Sequence, residues 1–392
     1  MTATPPADPF GFDRLDPEWV RAKGGAKWRL HRGQLNAWVA DMDFAPAREI
    51  TDAIAAVAAT NDLGYPNWGY PRPKSPVCEV FAERAARRYG WTIEPDHVEE
   101  LCEVVQAVQL ALYVGTAAGD GVVLHTPSYP PLWKSLAHMG RRQIDVPATI
   151  DAAGVHFDHD ELDRRLEREQ ATAILLCHPH NPTGHRFDRE ELVRLAEIAE
   201  RHDLLIISDE IHADLTYSPA SHVPIASLSP ETAARTVTVH SASKAFNIAG
   251  MRHAVVHLGA THLRARIAEL PDHLTGMVNI TAAAAAAAAW QHGDEWLAAL
   301  LVHLDRQRTL ALRLVAQHLP SVVAHPPDAT YLAWLDCRAI GDGDEPHRRF
   351  HDGGVEVSPG LNFGPLGSGH VRLNFATSAA MLTTIIEAMA AC

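Results

Sequence analysis

The amino-acid sequence predicts an α/β protein with a mostly parallel central sheet and helices on both of its faces. Three apolar, strand-like runs, Ala173–Cys177, 204–208 and Thr236–His240, each end in a polar loop carrying groups that can do chemistry. Stretches with helical spacing, over 47–59, 76–90 and 295–319, precede or follow them. At 392 residues the chain is long enough for a large core and two domains.

Composition narrows the function. Apolar residues make up 47% and charged residues 21%, as in an ordinary soluble globular protein. A formal net charge of −14 without a long basic run argues against binding nucleic acid through a basic face. The 24 histidines are scattered, show no H-E-x-x-H spacing and read mostly as solvated side chains, so no metal site is expected. Five cysteines (Cys78, Cys102, Cys177, Cys337 and Cys392) form no C-x-x-C pair, which suggests reduced thiols in a cytoplasmic protein. Residues 1–6 lack a basic region followed by an apolar stretch, so no signal peptide is expected. The alanine-rich run 281–290 is too short to span a bilayer and reads as a buried helix.

Along the chain, residues 1–36 are polar, rich in Trp, Arg and Gly, and read as an arm over the body. Segment 37–44 (Ala-Trp-Val-Ala-Asp-Met-Asp-Phe) is extended and apolar but carries two aspartates, and Pro46 ends it. Helical spacing over 47–59 leads to the Gly-, Pro- and aromatic-rich loop 64–71, which contains Tyr65, and then to an amphipathic helix over 76–90. Strand 121–125 leads to Tyr129 on a proline-fixed loop, where an aromatic is often a core plug. The loop after Ala173–Cys177 holds Asn181-Pro182-Thr183-Gly184, and the one after 204–208 holds Asp209-Glu210-Ile211-His212. After Thr236–His240 comes Ser241-Ala242-Ser243-Lys244, with Arg252 eight residues beyond the lysine. A lysine with a depressed pKa can form a Schiff base with a carbonyl, and Ser241, Ser243 and Arg252 are donors that a phosphate needs. The bland alternative is a surface loop with a solvated lysine. Further on lie strands Ala254–Leu258, 330–336 and 370–375, with a Gly/Pro loop over 358–364. Arg372 sits among apolar residues, so if buried it needs a partner, either a ligand carboxylate or a structural salt bridge.

Asn181, Asp209 and Lys244 stand at three strand ends, 28 and then 35 residues apart. This constellation resembles the fold-type I pyridoxal-phosphate (PLP) enzymes of the class I/II aminotransferase family. Segment 38–44 and the Asp209–His212 tetrad resemble its cystathionine β-lyase (C–S lyase) branch, and the likeness runs from about residue 38 to 376. It implies an N-terminal arm and part of a small α+β domain over 1–45, a large PLP-binding domain over 46–285 and the rest of the small domain over 286–392. It also implies a homodimer with shared active sites, acting on an amino-acid substrate without nucleic acid or membrane.

The resemblance gives each residue a role. Lys244 holds PLP, Asp209 pairs with its ring nitrogen, Tyr129 stacks on the ring and Asn181 reaches the ring's 3-oxygen. His212, where many relatives carry tyrosine, lies near that oxygen or Asp209. Ser241, Ser243, Arg252 and the backbone N–H groups of Gln106 and Ala107 hold the phosphate. Tyr65 sends its phenol to the neighbouring subunit's phosphate, and Arg372 forks onto the substrate carboxylate. Glu103 stands where the family usually has glycine, a departure that puts a carboxylate near a phosphate. The site residues serve both α,β-elimination, which releases a thiol, pyruvate and ammonia, and transamination with a 2-oxo acid. Segment 38–44 and His212 favour elimination.

Overall fold

The structure is a computed structural model that describes residues 8–68, 74–151 and 154–392. Residues 1–6 and the end of the aromatic loop, from Gly69 to Pro71, lie outside the described residues.

The main sheet has eight strands: β1 Val98–Leu101, β2 Gly121–Thr126, β3 Arg142–Asp151, β4 Gly154–Phe157, β5 Ala173–Cys177, β6 Leu205–Asp209, β7 Thr236–His240 and β8 Ala254–Leu258. Their order in space is β1-β8-β7-β6-β5-β2-β3-β4. The central five, β7 to β3, run parallel, while β8 and β4 are antiparallel to their neighbours. Strands β2, β5, β6, β7 and β8 are buried along their whole length, as unbroken apolar runs require when both faces are covered.

Successive residues point to opposite faces. Leu124 and Ile207 meet helix Val104–Gly115 in one core, while Val123 and Ile206 meet helix Arg189–Arg201 in the other. The chain moves outward from β2 to β3, then places β5 on the other side of β2. That reversal opens a crevice at the carboxyl ends of the strands, where open α/β sheets bind ligands.

A second sheet, β9 Val323–Ala324, β10 Leu332–Asp336, β11 Ser358–Pro359 and β12 His370–Asn374, is antiparallel in the order β9-β10-β12-β11. Helices Asp294–His318 and Ala379–Ala391 share its core, which also takes in Phe12, Val20 and Trp28 of the arm. The arm is tied down by a two-residue parallel pairing of Leu35–Asn36 with Val355–Glu356. The alanine-rich helix Ile280–His292 is buried against helix Arg48–Ala59. No helix among the described residues is long and apolar enough to cross a membrane.

The histidines depart from expectation: eleven of the 24 are buried. His125, His178 and His180 pack on Phe157 or Phe187. Burial depresses their pKa values, so these imidazoles serve as neutral polar aromatics in the core. Their burial is invisible in a spacing search because they come from separate strands and loops.

Candidate active site

Every strand end in the crevice contributes a side chain. Tyr129 follows β2, Asn181 follows β5, Asp209 ends β6, and Ser241, Ser243 and Lys244 follow β7. With His212 and Arg372 they line one cleft of about 170 Å³, and Val39, Ala40, Glu103 and Arg252 complete its wall. Gly184, the last residue of the Asn-Pro-Thr-Gly motif, explains its own presence. It has φ +72°, and a Cβ there would lie 2.3 Å from the Cβ of Pro327.

Lys244 Nζ donates to the Ala40 carbonyl at 2.8 Å and lies 4.0 Å from Asp41 Oδ1. Its pKa is lowered, chiefly by burial; Asp41 opposes that shift and Arg372 adds to it. The lysine is thus partly buried in the cleft, which rules out the solvated surface loop.

Asp209 is buried, and its Oδ1 accepts from the backbone N–H of Ile211 at 3.2 Å. Burial lifts its pKa to about 7, with the neighbouring Glu210 adding to the shift. His212 is buried and its Nδ1 has no hydrogen-bond partner. Burial, reinforced by Lys244 and Arg372, lowers its pKa to about 3, so it is neutral across the physiological range.

Arg372 Nη1 donates to Asn181 Oδ1 at 2.9 Å, and its Nη2 donates to the Trp38 carbonyl at 2.9 Å and to Ser358 Oγ at 3.2 Å. These partners are neutral groups, so the guanidinium is positioned without a salt bridge from them. Burial alone brings its pKa down to about 10, and its Nε is buried without a partner.

At the phosphate end the expected residues are placed unevenly. Ala107 N–H already donates to the Glu103 carbonyl at 3.1 Å, the first bond of helix Val104–Gly115. Gln106 and Ala107 do not line the cleft, whereas Val104 and Val105 do. The helix start therefore faces the cleft about two residues earlier than the resemblance implied. Ser241 Oγ lies 2.6 Å from the His253 carbonyl, which can only accept, so the Ser241 proton is committed there. Ser241 Oγ in turn accepts from the Ser243 N–H at 3.0 Å and lies 2.8 Å from Ser243 Oγ, so the two hydroxyls are hydrogen-bonded to each other. Tyr65 is not in the cleft of its own chain; it is 90% exposed beside a separate cavity of about 620 Å³ lined also by Thr60, Trp68 and Ala283.

Segment 38–44 forms no strand; site residues hold it by its backbone. Ala40 accepts from both Lys244 and the Tyr331 hydroxyl, each at 2.8 Å. Asn374 Nδ2 donates to Val39 and Asp41 carbonyls, both at 2.7 Å. Asn247 Oδ1 accepts from Met42 N–H at 2.9 Å, while its Nδ2 donates to Met42 and Phe44 carbonyls at 3.1 and 2.8 Å. The two aspartates differ in placement: Asp43 is buried against Trp28 Nε1 and Lys27 Nζ, whereas Asp41 faces Lys244. Tyr331, Asn374 and Asn247 carried no motif that marked them in the sequence. Outside the cleft, His31, His351 and Glu356 bring potential cation ligands together beside the arm pairing, with His351 Nδ1 2.6 Å from the Glu356 carboxylate.

The donor set fits PLP. It offers a lysine amine, a buried carboxylate, an unpartnered imidazole Nδ1, an aromatic wall, and an arginine and hydroxyl beside a helix start.

Fold and site together define a member of the aminotransferase class I and II family: that family's model matches residues 41–389, and the chain belongs to it. Cystathionine β-lyase PatB of Bacillus subtilis is 34% identical over 351 residues, 89% of each chain. Among solved structures, cystalysin from Treponema denticola, which contains pyridoxal 5′-phosphate, superposes with a TM-score of 0.88 at 26% identity, covering 94% of this chain and 95% of that one. The PLP-bound C–S lyase from Staphylococcus hominis gives a TM-score of 0.85 at 26% identity, covering 97% and 98%.

Proposed function

We propose that the chain is a PLP-dependent C–S β-lyase, cleaving L-cystathionine or a related cysteine S-conjugate with water to a thiol, pyruvate and ammonia. The observation that carries this reading is the cleft at the strand ends, where Lys244, Asp209, Asn181, His212 and Arg372 converge in a chain akin to named C–S lyases. When bound, PLP supplies an electrophilic carbon for amines and a cationic ring that withdraws electrons from the substrate's Cα.

The chain's own residues supply the rest. Lys244, its pKa lowered by burial, takes the α-proton as a neutral amine. Asp209 holds the ring nitrogen protonated, a cation that would in turn keep this buried carboxylate ionised. Arg372, oriented by Asn181, Ser358 and the Trp38 carbonyl, receives the substrate carboxylate. With PLP bound, Tyr129 would cover the ring, neutral His212 would offer a hydrogen bond toward the 3-oxygen, and Ser243, Arg252 and the N–H groups of Val104 and Val105, all of which line the cleft, would hold the phosphate.

The exposed Tyr65 supports a homodimer in which this phenol completes the partner's site. Five free cysteines, three of them buried, support a reducing, cytoplasmic setting. For domains we propose 1–45, 46–292 and 293–392. The second boundary moves to Gly293 because a cut at 285/286 would split helix Ile280–His292.

Aminotransfer is the alternative, and turnover separates the two. Elimination needs no second substrate, whereas transamination stops after one half-reaction until an oxo acid restores the cofactor. With L-cystathionine and no oxo acid, we expect repeated release of pyruvate, ammonia and thiol. A strict need for 2-oxoglutarate, with glutamate accumulating, would make the protein an aminotransferase.

A further inference from the structure

The departure at Glu103 has a structural counterpart. Its carboxylate Oε2 is in direct contact with Nη2 of Arg252, across the mouth of the cleft. Glu103 is the N-cap of helix Val104–Gly115, with extended backbone at φ −166°. An N-cap carboxylate ordinarily accepts from the first N–H groups of its helix, but here no side-chain capping bond forms and the carboxylate turns to the arginine. Arg252 is held in a left-handed conformation at φ +57° at the end of the turn Ala249–Met251, which fixes where its side chain leaves the backbone. Both side chains are partly exposed, so the pair can open.

We propose that Glu103 is a built-in competitor for Arg252, which weakens the hold of this cleft on the cofactor's phosphate. The inference rests on the PLP reading above. A guanidinium already paired with a carboxylate presents little net positive charge to a second anion, and the freed Glu103 charge then repels the phosphate it faces. The other charged groups of the cleft are Lys244, Asp41, Asp209 and Arg372. The family's usual glycine would leave Arg252 wholly available. The chain would therefore exchange its cofactor more readily than one with a neutral residue at this position.

The test is a titration of cofactor-depleted full-length protein with PLP, followed by absorbance of the bound cofactor and quenching of tryptophan fluorescence. Glu103→Gln and Glu103→Gly should both bind PLP about tenfold more tightly than the native chain. Pyridoxal, which lacks the phosphate, should bind native and variant alike, and Arg252→Gln should shrink the gain from Glu103→Gln to the part that comes from direct repulsion alone. Equal PLP affinity in native and variants, weaker binding in Glu103→Gln, or equal tightening toward pyridoxal would each overturn the competition. If the native chain binds neither form, the PLP reading itself fails and not merely the role of Glu103.

Discussion

Asp209 carries the strongest electrostatic statement at the scale of single residues. Its folded-state pKa is raised to about 7, so between the ordinary carboxylate range and that value the folded chain binds more protons than the unfolded one. Stability from this group is therefore present at low pH and is lost as pH rises toward 7. In cofactor-depleted protein, Asp209→Asn should raise stability at pH 8 by on the order of 3 kcal/mol and change it little near pH 4. Denaturant melts at the two pH values check this, and an equal effect at both would refute it. With cofactor present the same substitution should lower kcat on the order of 10²-fold while leaving PLP bound, because the ring nitrogen loses its anionic partner. The sequence made Asp209 legible because it ends an apolar strand. It could not reveal that the Ser241 hydroxyl donates to the His253 backbone carbonyl, because that bond depends on how the loop folds back.

Segment 38–44 shows at the scale of elements why a motif can matter without a catalytic side chain. Its carbonyl groups receive donors from Lys244, Tyr331, Arg372, Asn374 and Asn247, so it is a backbone template against which the site residues align. Asn374→Ala would strip donors from two carbonyls and remove the acceptor of the Ala376 N–H, which Asn374 Oδ1 receives at 2.7 Å. We expect a loss of about 2–4 kcal/mol in unfolding free energy, together with a raised KM as the Arg372 side of the cleft loosens. A denaturant midpoint unchanged from native would show that the template does not need this clamp.

Helix and strand placement was largely legible in the sequence, because unbroken Val/Ile/Leu runs admit few alternatives in a two-faced sheet. The exact start of helix Val104–Gly115 was not. Glu103, Val104 and Val105 carry no glycine or Asx signal, so nothing local in the sequence marks them as the residues of the helix start that line the cleft.

The whole molecule divides its site between two sheets and an arm. Arg372 comes from the small sheet, Lys244 and Asp209 from the large one, and Ala40 from the segment between the arm and the first long helix. Such a site exists only when distant parts of the chain pack correctly, which explains why Tyr331 and Asn374 could not be read from local pattern. Tyr65 extends the argument beyond one chain. Mixing inactive Lys244→Ala with inactive Tyr65→Ala should restore part of the activity, up to about a quarter of native for random pairing of dimers, because one site of the hybrid then has both residues intact. No recovery despite demonstrated subunit exchange would confine Tyr65 to a role within its own subunit.

The account stands most directly on Lys244, the lysine that meets Asp41, Asp209 and Arg372 in one cleft. Borohydride reduction of the yellow holoenzyme, followed by digestion and peptide mapping, should recover the cofactor on the peptide containing Lys244 and on no other. The Lys244→Ala variant should bind PLP without a reducible link. Cofactor fixed instead to Lys23, Lys27 or any other lysine would contradict the assignment of this cleft as the active site.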